Sequence, residues 1–181
     1  MHPLRNCKWF LSLCLLFTTV VAGAQIQWKP SVATVSFKIK NAGFTVNGNF
    51  NGFAGQLSFD PNELAASSIH ATVEVASIST GIASRDNHLK KDDYFDAAAY
   101  PKIDIASKTL YKKDNGFAGL FNVTIKNKKR QVEIPFTFTA TGNTAIFNGS
   151  FFIDRRDYGV GGNSFIMGDN VTISIIVNAK R

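Results

Sequence analysis

Cysteine is nearly absent from this chain of 181 residues, and its two cysteines, Cys7 and Cys14, both lie in the first fourteen positions. Histidine is scarce too, with three residues in all. Without the first segment, no cysteine remains for a disulfide framework, a zinc–thiolate site or a thiol nucleophile. We therefore expect a domain that its apolar core alone holds together.

The first 24 residues have the pattern of a signal peptide, which we assign to residues 1–24. Arg5 and Lys8 precede an apolar run from Trp9 to Val21, and the small residues Ala22-Gly23-Ala24 follow it. The run has 13 residues, too few to cross a hydrocarbon core of about 30 Å as a helix. Cleavage would leave residues 25–181 with 18 basic and 13 acidic residues, a net charge of +5. We expect a periplasmic or secreted protein without a transmembrane anchor after signal cleavage; a retained membrane anchor is the alternative.

Apolar and polar residues alternate along most of the chain after residue 31. This period of two is typical of antiparallel strands with one wet and one dry face. Closing such strands into a barrel removes their exposed edges. We predict a single all-β domain over residues 25–181, with eight antiparallel strands, hairpin turns at 113–116, 127–129 and 141–143, and a bulge near Asn51-Gly52 in a strand spanning 46–59.

The segment from Gly81 to Asp93 breaks this alternation. The spacing of Ile82 and Leu89 and of the charged residues between them predicts a short helix, with Ser79 or Thr80 as its N-cap. This helix would be the one departure from an all-strand domain.

Few residues suit catalysis or metal binding. His70 alternates with the apolar, inward-facing Ile69 and Ala71, so we expect it in solvent. His88 and Asp92 have the i, i+4 spacing of a helical metal pair, but no second pair would complete the site. We predict no catalytic residue, no metal site and no cofactor. The basic cluster within 126–130 predicts a solvated hairpin tip, and we expect no nucleic-acid partner.

The dry faces of the strands offer a different kind of site. Fourteen of the sixteen phenylalanines follow residue 24, and isoleucine and valine accompany them. Side chains can fill an eight-stranded barrel, or the barrel can keep a slot for one small ligand. The composition leaves both open. For a ligand in the barrel, the predicted apolar lining is Phe37, Ile39, Phe50, Phe59, Val73, Val75, Phe95, Ile105, Val123, Ile125, Ile134, Phe136, Ile173 and Ile175.

Several motifs resemble the YceI-like family of polyisoprenoid-binding proteins. The central motif runs from Ser77 to Leu89 and continues through 93–96 and 100–103. The stretches 35–39, 46–50 and 55–60 resemble the family's upstream elements, and 153–160 resembles a downstream one. Two departures are modest: Ala33-Thr34 stands near a usual histidine, and Ile105-Ala106-Ser107 lacks a usual phenylalanine.

The resemblance implies a lipocalin-like barrel that holds a long isoprenoid or similar amphiphile. We therefore expect an exported, non-enzymatic carrier or reservoir of a polyisoprenoid, an isoprenoid quinone or a similar lipid; a homodimer is plausible. Arg85, His88 and Arg155 are the predicted polar contacts of its head group. Alternatively, Arg85 and Asp86 form a structural ion-pair network with Asp154 or Asp157. A structural or interaction module with a filled barrel, and less favoured a hydrolase, are the competing functions.

Overall fold

The computed structural model describes residues 25–181, so the predicted signal peptide lies outside the described residues. Within them, no helix is both long and apolar enough to cross a membrane. The structure has one short α-helix, 3₁₀ turns at Val75–Ser77 and Arg155–Tyr158, and nine strands. The elements are β1 (Gln27–Asn41), β2 (Phe44–Phe50), β3 (Ala54–Ser58), β4 (Ser68–Glu74), α1 (Ala83–Leu89), β5 (Lys102–Lys113), β6 (Gly116–Ile125), β7 (Lys128–Thr141), β8 (Thr144–Asp154) and β9 (Asn170–Lys180).

The strands form a closed antiparallel barrel, as predicted from the alternation. From β3 to β9 each strand pairs with the next, and β1 pairs with both β3 and β9. The closing ladder places Val35 opposite Ile175 and Phe37 opposite Ile173. The hairpins predicted at 113–116 and 141–143 are confirmed, and β6 and β7 are joined by Lys126-Asn127, so that turn begins one residue before the predicted 127–129. Eight strands thus enclose the interior, and β2 is an extra strand.

The strand predicted over 46–59 is two strands, because the chain leaves the ladder at 51–53. Both parts lie beside β1, with Phe50 opposite Val35 and Leu57 opposite Trp28. The Asn51 backbone N–H instead donates to Ser77 Oγ at 2.9 Å, and Ser77 Oγ donates to the Asn51 carbonyl at 2.7 Å. The interruption lies where the bulge was predicted, but it separates two strands.

The predicted helix is present, but its predicted cap is wrong. Ile82 is the N-cap residue and its side chain makes no capping hydrogen bond. Asp86, in the first turn, instead accepts from the Thr80 backbone N–H at 2.8 Å and from the Thr80 hydroxyl at 2.5 Å. The Thr80 hydroxyl oxygen accepts from the side chain of Arg85 and not from a free backbone N–H of the helix. The hydrogen bonds from Thr80 to Asp86, with Arg85 nearby, hold the pKa of Asp86 below its usual value.

Aromatic side chains fill the end of the barrel near the β7–β8 turn. Phe59 is fully buried. Its ring centroid lies 4.9 to 5.6 Å from four other phenylalanine rings, all of them edge to face. The Trp28 indole N–H donates to the Phe59 carbonyl at 2.9 Å, and the Trp28 ring packs edge to face against Phe138. We call these residues the aromatic plug: Trp28, Phe59, Phe117, Phe136, Phe138 and Phe147.

Tyr158, in the second 3₁₀ turn, has an unusual environment. It is 1% exposed, and its hydroxyl has no hydrogen-bond partner among the described residues. Burial, with a smaller contribution from Asp157, raises the pKa of Tyr158 to about 12. The folded state therefore favours the neutral phenol, while the unfolded chain titrates near the ordinary value of about 10.

We predict that Tyr158→Phe is neutral or stabilising at pH 7, because it removes an unpaired buried hydroxyl. The wild-type protein loses stability as the pH rises from about 10 towards 12, because only its unfolded state releases this proton. The advantage of Tyr158→Phe should grow by roughly 1 to 3 kcal/mol over that range. Urea unfolding of both proteins at several pH values measures it. A constant difference across the range would show that Tyr158 ionises equally in both states.

Candidate functional site

The end of the barrel opposite the aromatic plug contains a cavity of about 300 Å³. This volume lies within the range of known small-molecule sites, about 300 to 1,000 Å³. Its wall is formed by residues of β1, β2, β4, β5, β6, β8 and β9, and α1 and the segment 94–95 contribute further lining. Apart from Ser36, Asn41, Thr72, Arg85, His88 and Arg155, the lining side chains are aliphatic or aromatic. The interior is therefore only partly filled by side chains.

Most residues predicted to contact a ligand lie around this cavity. Ile134 and Phe136 line a second, smaller cavity of about 70 Å³, next to the plug. Phe59 and Val75 line neither cavity: Phe59 belongs to the plug, and Val75 is buried in the first 3₁₀ turn. The predicted apolar residues that line the larger cavity are Phe37, Ile39, Phe50, Val73, Phe95, Ile105, Val123, Ile125, Ile173 and Ile175.

Sequence reasoning missed other lining residues, for two reasons. Val35, Ile103 and Val171 share the strand parity of predicted neighbours, so the alternation was sufficient to find them. Met167 also lines the cavity but lies outside the strands, where no period indicates which way a side chain points. Phe53 lies within the strand predicted over 46–59, at the position where the chain leaves the ladder.

The two cavities are adjacent and lie one behind the other. They share Phe53, Ala71, Ile105, Phe151 and Ile175 in their walls. Along β1 the larger cavity extends from Asn41 to Val35, a stretch of roughly 20 Å at about 3.3 Å per residue. An extended backbone advances about 3.6 Å in three bonds, so a stretched aliphatic chain of roughly 16 bonds would match this depth. The space suits a long, narrow apolar group.

Arg155 lines the cavity, yet its guanidinium is committed to the protein. It is 3% exposed. Its Nε donates to the Gly168 carbonyl, Nη1 to the carbonyls of Val160 and Gly162, and Nη2 to the Met167 carbonyl and to Asp169 at 3.0 Å. All five N–H donors of an arginine are therefore used. Arg155 fastens the segment 160–169 and has no donor left for a head group.

Arg85 also lines the cavity but makes fewer hydrogen bonds. Its Nε donates to the Thr80 hydroxyl at 2.7 Å and its Nη2 to the Thr80 carbonyl at 2.9 Å. Within residues 25–181 these are its only hydrogen bonds, which leaves three N–H donors for a ligand. The network proposed from sequence, with Asp154 or Asp157, is wrong. Asp154 instead pairs with Arg156, which holds the pKa of Asp154 below its usual value.

The histidines have separate surroundings. His88 lines the cavity, its ring packs edge-on against Tyr94 with centroids 4.9 Å apart, and its Nε2 lies 3.8 Å from Asp93 Oδ2. His70 lies half-exposed on the outer face and pairs with Asp104 at 2.5 Å. Residues 25–181 contain no group of three or more His, Cys, Asp or Glu side chains that suits a metal ion. Arg85 and His88 are thus the two predicted polar residues with donors or acceptors available to the cavity.

Comparisons with known proteins agree with this architecture. The chain is 28% identical to a UPF0312 protein of Vibrio cholerae over 161 residues, which cover 83% of this chain and 85% of that protein. Among solved structures, BcnA of Burkholderia cenocepacia superposes with a TM-score of 0.78 at 29% identity, covering 82% of this chain and 96% of that one.

Two further structures share the fold. A Campylobacter jejuni YCEI protein matches with a TM-score of 0.69 and 25% identity, over 75% of this chain and 85% of that one. A polyisoprenoid binding domain from Saccharophagus degradans matches with a TM-score of 0.66 over 85% of this chain and 97% of that one, but at 11% identity this likeness concerns the fold alone. The model of the YceI-like domain matches residues 27–179, so the chain belongs to the YceI-like domain family.

Proposed function

We propose that this protein is an exported carrier or reservoir that holds one long-tailed amphiphile, such as a polyisoprenoid or an isoprenoid quinone, in its barrel. The observation that carries the proposal is the cavity of about 300 Å³, which is long, apolar, and bordered by a partly unsatisfied arginine. A binding function needs only these features, whereas a hydrolase needs a nucleophile and a base in contact. The Saccharophagus domain named for polyisoprenoid binding has the same fold and is compatible with the proposal.

The tail would occupy the apolar part of the cavity. Burying one methylene group contributes about 0.8 kcal/mol, so a tail of roughly 16 carbons offers more than 12 kcal/mol before the costs of ordering it. Tail burial should therefore dominate the affinity. The competing module with a filled barrel is less favoured, because side chains leave this much interior space empty.

The head group would lie beside α1. Arg85 can direct donors at a phosphate or a carbonyl oxygen, and a charge-assisted hydrogen bond of this kind is stronger than a neutral one. His88 can add one donor or acceptor. Because the Thr80–Asp86 hydrogen bonds position this segment, the head group would meet a preformed surface.

Organic extraction of the purified protein, followed by mass spectrometry, tests the proposal directly. We expect an amphiphile with one long apolar tail, close to equimolar with the protein. If the extract contains no such lipid, and the emptied protein also binds none from a panel of prenyl and acyl amphiphiles, the carrier proposal is wrong.

We predict that affinity rises steadily with tail length until the tail reaches the boundary between the two cavities. Ala71 lines both cavities, so Ala71→Leu should shorten the available space and weaken the longest ligands by roughly tenfold or more, at a packing cost of about 1 to 3 kcal/mol. Calorimetry with a homologous series of tails measures this. Ala106→Leu is the matched control, because Ala106 lies opposite the outward-facing His70 on the neighbouring strand and lines neither cavity. Equal affinity for short and long tails would contradict the prediction.

We predict that Arg85→Gln weakens an anionic amphiphile by about 1 to 3 kcal/mol but barely affects a neutral one with the same tail, since it removes a charge-assisted hydrogen bond. The melting temperature should change little. Arg130→Gln is the charge-matched control, because Arg130 is exposed and lines neither cavity. If both ligands weaken equally, or if stability falls first, Arg85 organises the segment and does not bind the head group.

A further inference from the structure

Three large apolar side chains are exposed together at one edge of the barrel. Phe44 is 77% exposed, Phe165 is fully exposed, and Ile166 is largely exposed. Isolated exposed apolar residues are ordinary, but an exposed apolar group next to a ligand cavity indicates an interaction surface. We call Phe44, Phe165 and Ile166 the rim patch.

Backbone hydrogen bonds place the members of the rim patch side by side. The Ala42 N–H, in the β1–β2 turn, donates to the Ile166 carbonyl at 2.7 Å, and the Gly168 N–H donates to the Lys40 carbonyl at 2.7 Å. Asn41 is paired both with Phe44 across the turn and with Met167. Asn41 and Met167 also line the larger cavity. The rim patch is therefore continuous with the edge of the cavity.

The two segments that form the rim patch contain no acidic residue. The β1–β2 hairpin, residues 27–50, has Lys38 and Lys40 close to its turn, whereas Lys29 lies at the plug end of β1, opposite Lys180 of β9. The segment 159–168 carries no charged residue at all. The next acid along the chain, Asp169, is paired with Arg155 at 3.0 Å and with Arg156 at 3.1 Å. The rim patch thus combines exposed apolar rings with nearby uncompensated lysines.

We propose that the rim patch docks on the surface of an anionic bilayer, with the edge of the cavity facing the lipid. Aromatic and aliphatic side chains enter the boundary between head groups and acyl chains, and lysines are attracted to anionic lipid. A lipid that moves between bilayer and cavity then crosses little water. This inference deepens the proposed carrier function, but docking can be measured without any cargo.

Co-sedimentation of the purified protein with vesicles tests docking. We expect binding to vesicles of phosphatidylcholine and phosphatidylglycerol at 3:1, and at least tenfold weaker binding to pure phosphatidylcholine or in 0.5 M salt, because salt screens the lysines. Phe44→Ser/Phe165→Ser should weaken binding at least tenfold. Lys38→Gln/Lys40→Gln should remove most of the preference for anionic vesicles.

Ile146→Ser is the matched control, because Ile146 is an apolar residue that is about half exposed near the β7–β8 turn, at the other end of the barrel. It should leave vesicle binding unchanged. Equal binding by the wild-type protein and Phe44→Ser/Phe165→Ser would overturn the proposal. So would a dimer in vesicle-free solution that this double substitution dissociates, since the rim patch would then be an interface between two copies. Extraction of co-purified lipid from the double variant separates the two proposals: retained cargo with lost docking leaves the carrier function intact.

Discussion

The pairing of β1 with β9 is the constraint on which the rest of the structure depends. It joins the first strand to the last, so the sheet has no free edge along this ladder. Side chains alternate strictly across a strand, so a slip of one residue would turn the apolar faces outward. The register that sets Val35 against Ile175 therefore also decides which side chains face the interior.

The aromatic plug and the cavity lie at opposite ends of this barrel. The aromatic plug packs one end with rings in edge-to-face contact, where loss of a large side chain would leave a costly void. At the other end, side chains leave the cavity unfilled, and the hydrogen bonds that Arg155 donates and Asp86 accepts hold the surrounding segments. The plug thus stabilises the fold through dense side-chain packing, and the end with the cavity is less densely packed.

Most of the barrel could be predicted from sequence, because alternation is a local signal that persists for many residues. It correctly indicated the inward faces of Phe37, Ile105 and Ile173. It did not predict Met167, since segments between strands have no fixed period, and it placed Phe53 in one continuous strand that the structure divides at 51–53. The alternation also could not distinguish the plug from the cavity. Phe59 and Phe37 are both inward-facing phenylalanines, and the packing of distant strands places Phe59 in the plug and Phe37 on the cavity wall.

The arginines show the same limit at the level of single side chains. Arg85 and Arg155 both belong to family-like motifs and both reach the cavity. They differ in how many donors are free: Arg155 donates to five acceptors around it, whereas Arg85 donates only to Thr80 among residues 25–181. The number of hydrogen bonds that an arginine makes depends on where the carbonyl groups of other segments lie. Residue type and sequence spacing do not specify those positions.

The unfilled cavity also determines how this protein responds to compression. Unfolding eliminates internal voids, and the accompanying volume decrease, about 20 to 100 mL/mol for ordinary proteins, scales with the void volume. With about 300 Å³ of unfilled interior space, this protein should show a large volume decrease on unfolding, and pressure should therefore destabilise it. Any molecule bound in the cavity would remove the void and with it part of the volume change. Hydrostatic pressure would therefore distinguish the free from the bound protein without reference to the chemical identity of the bound molecule.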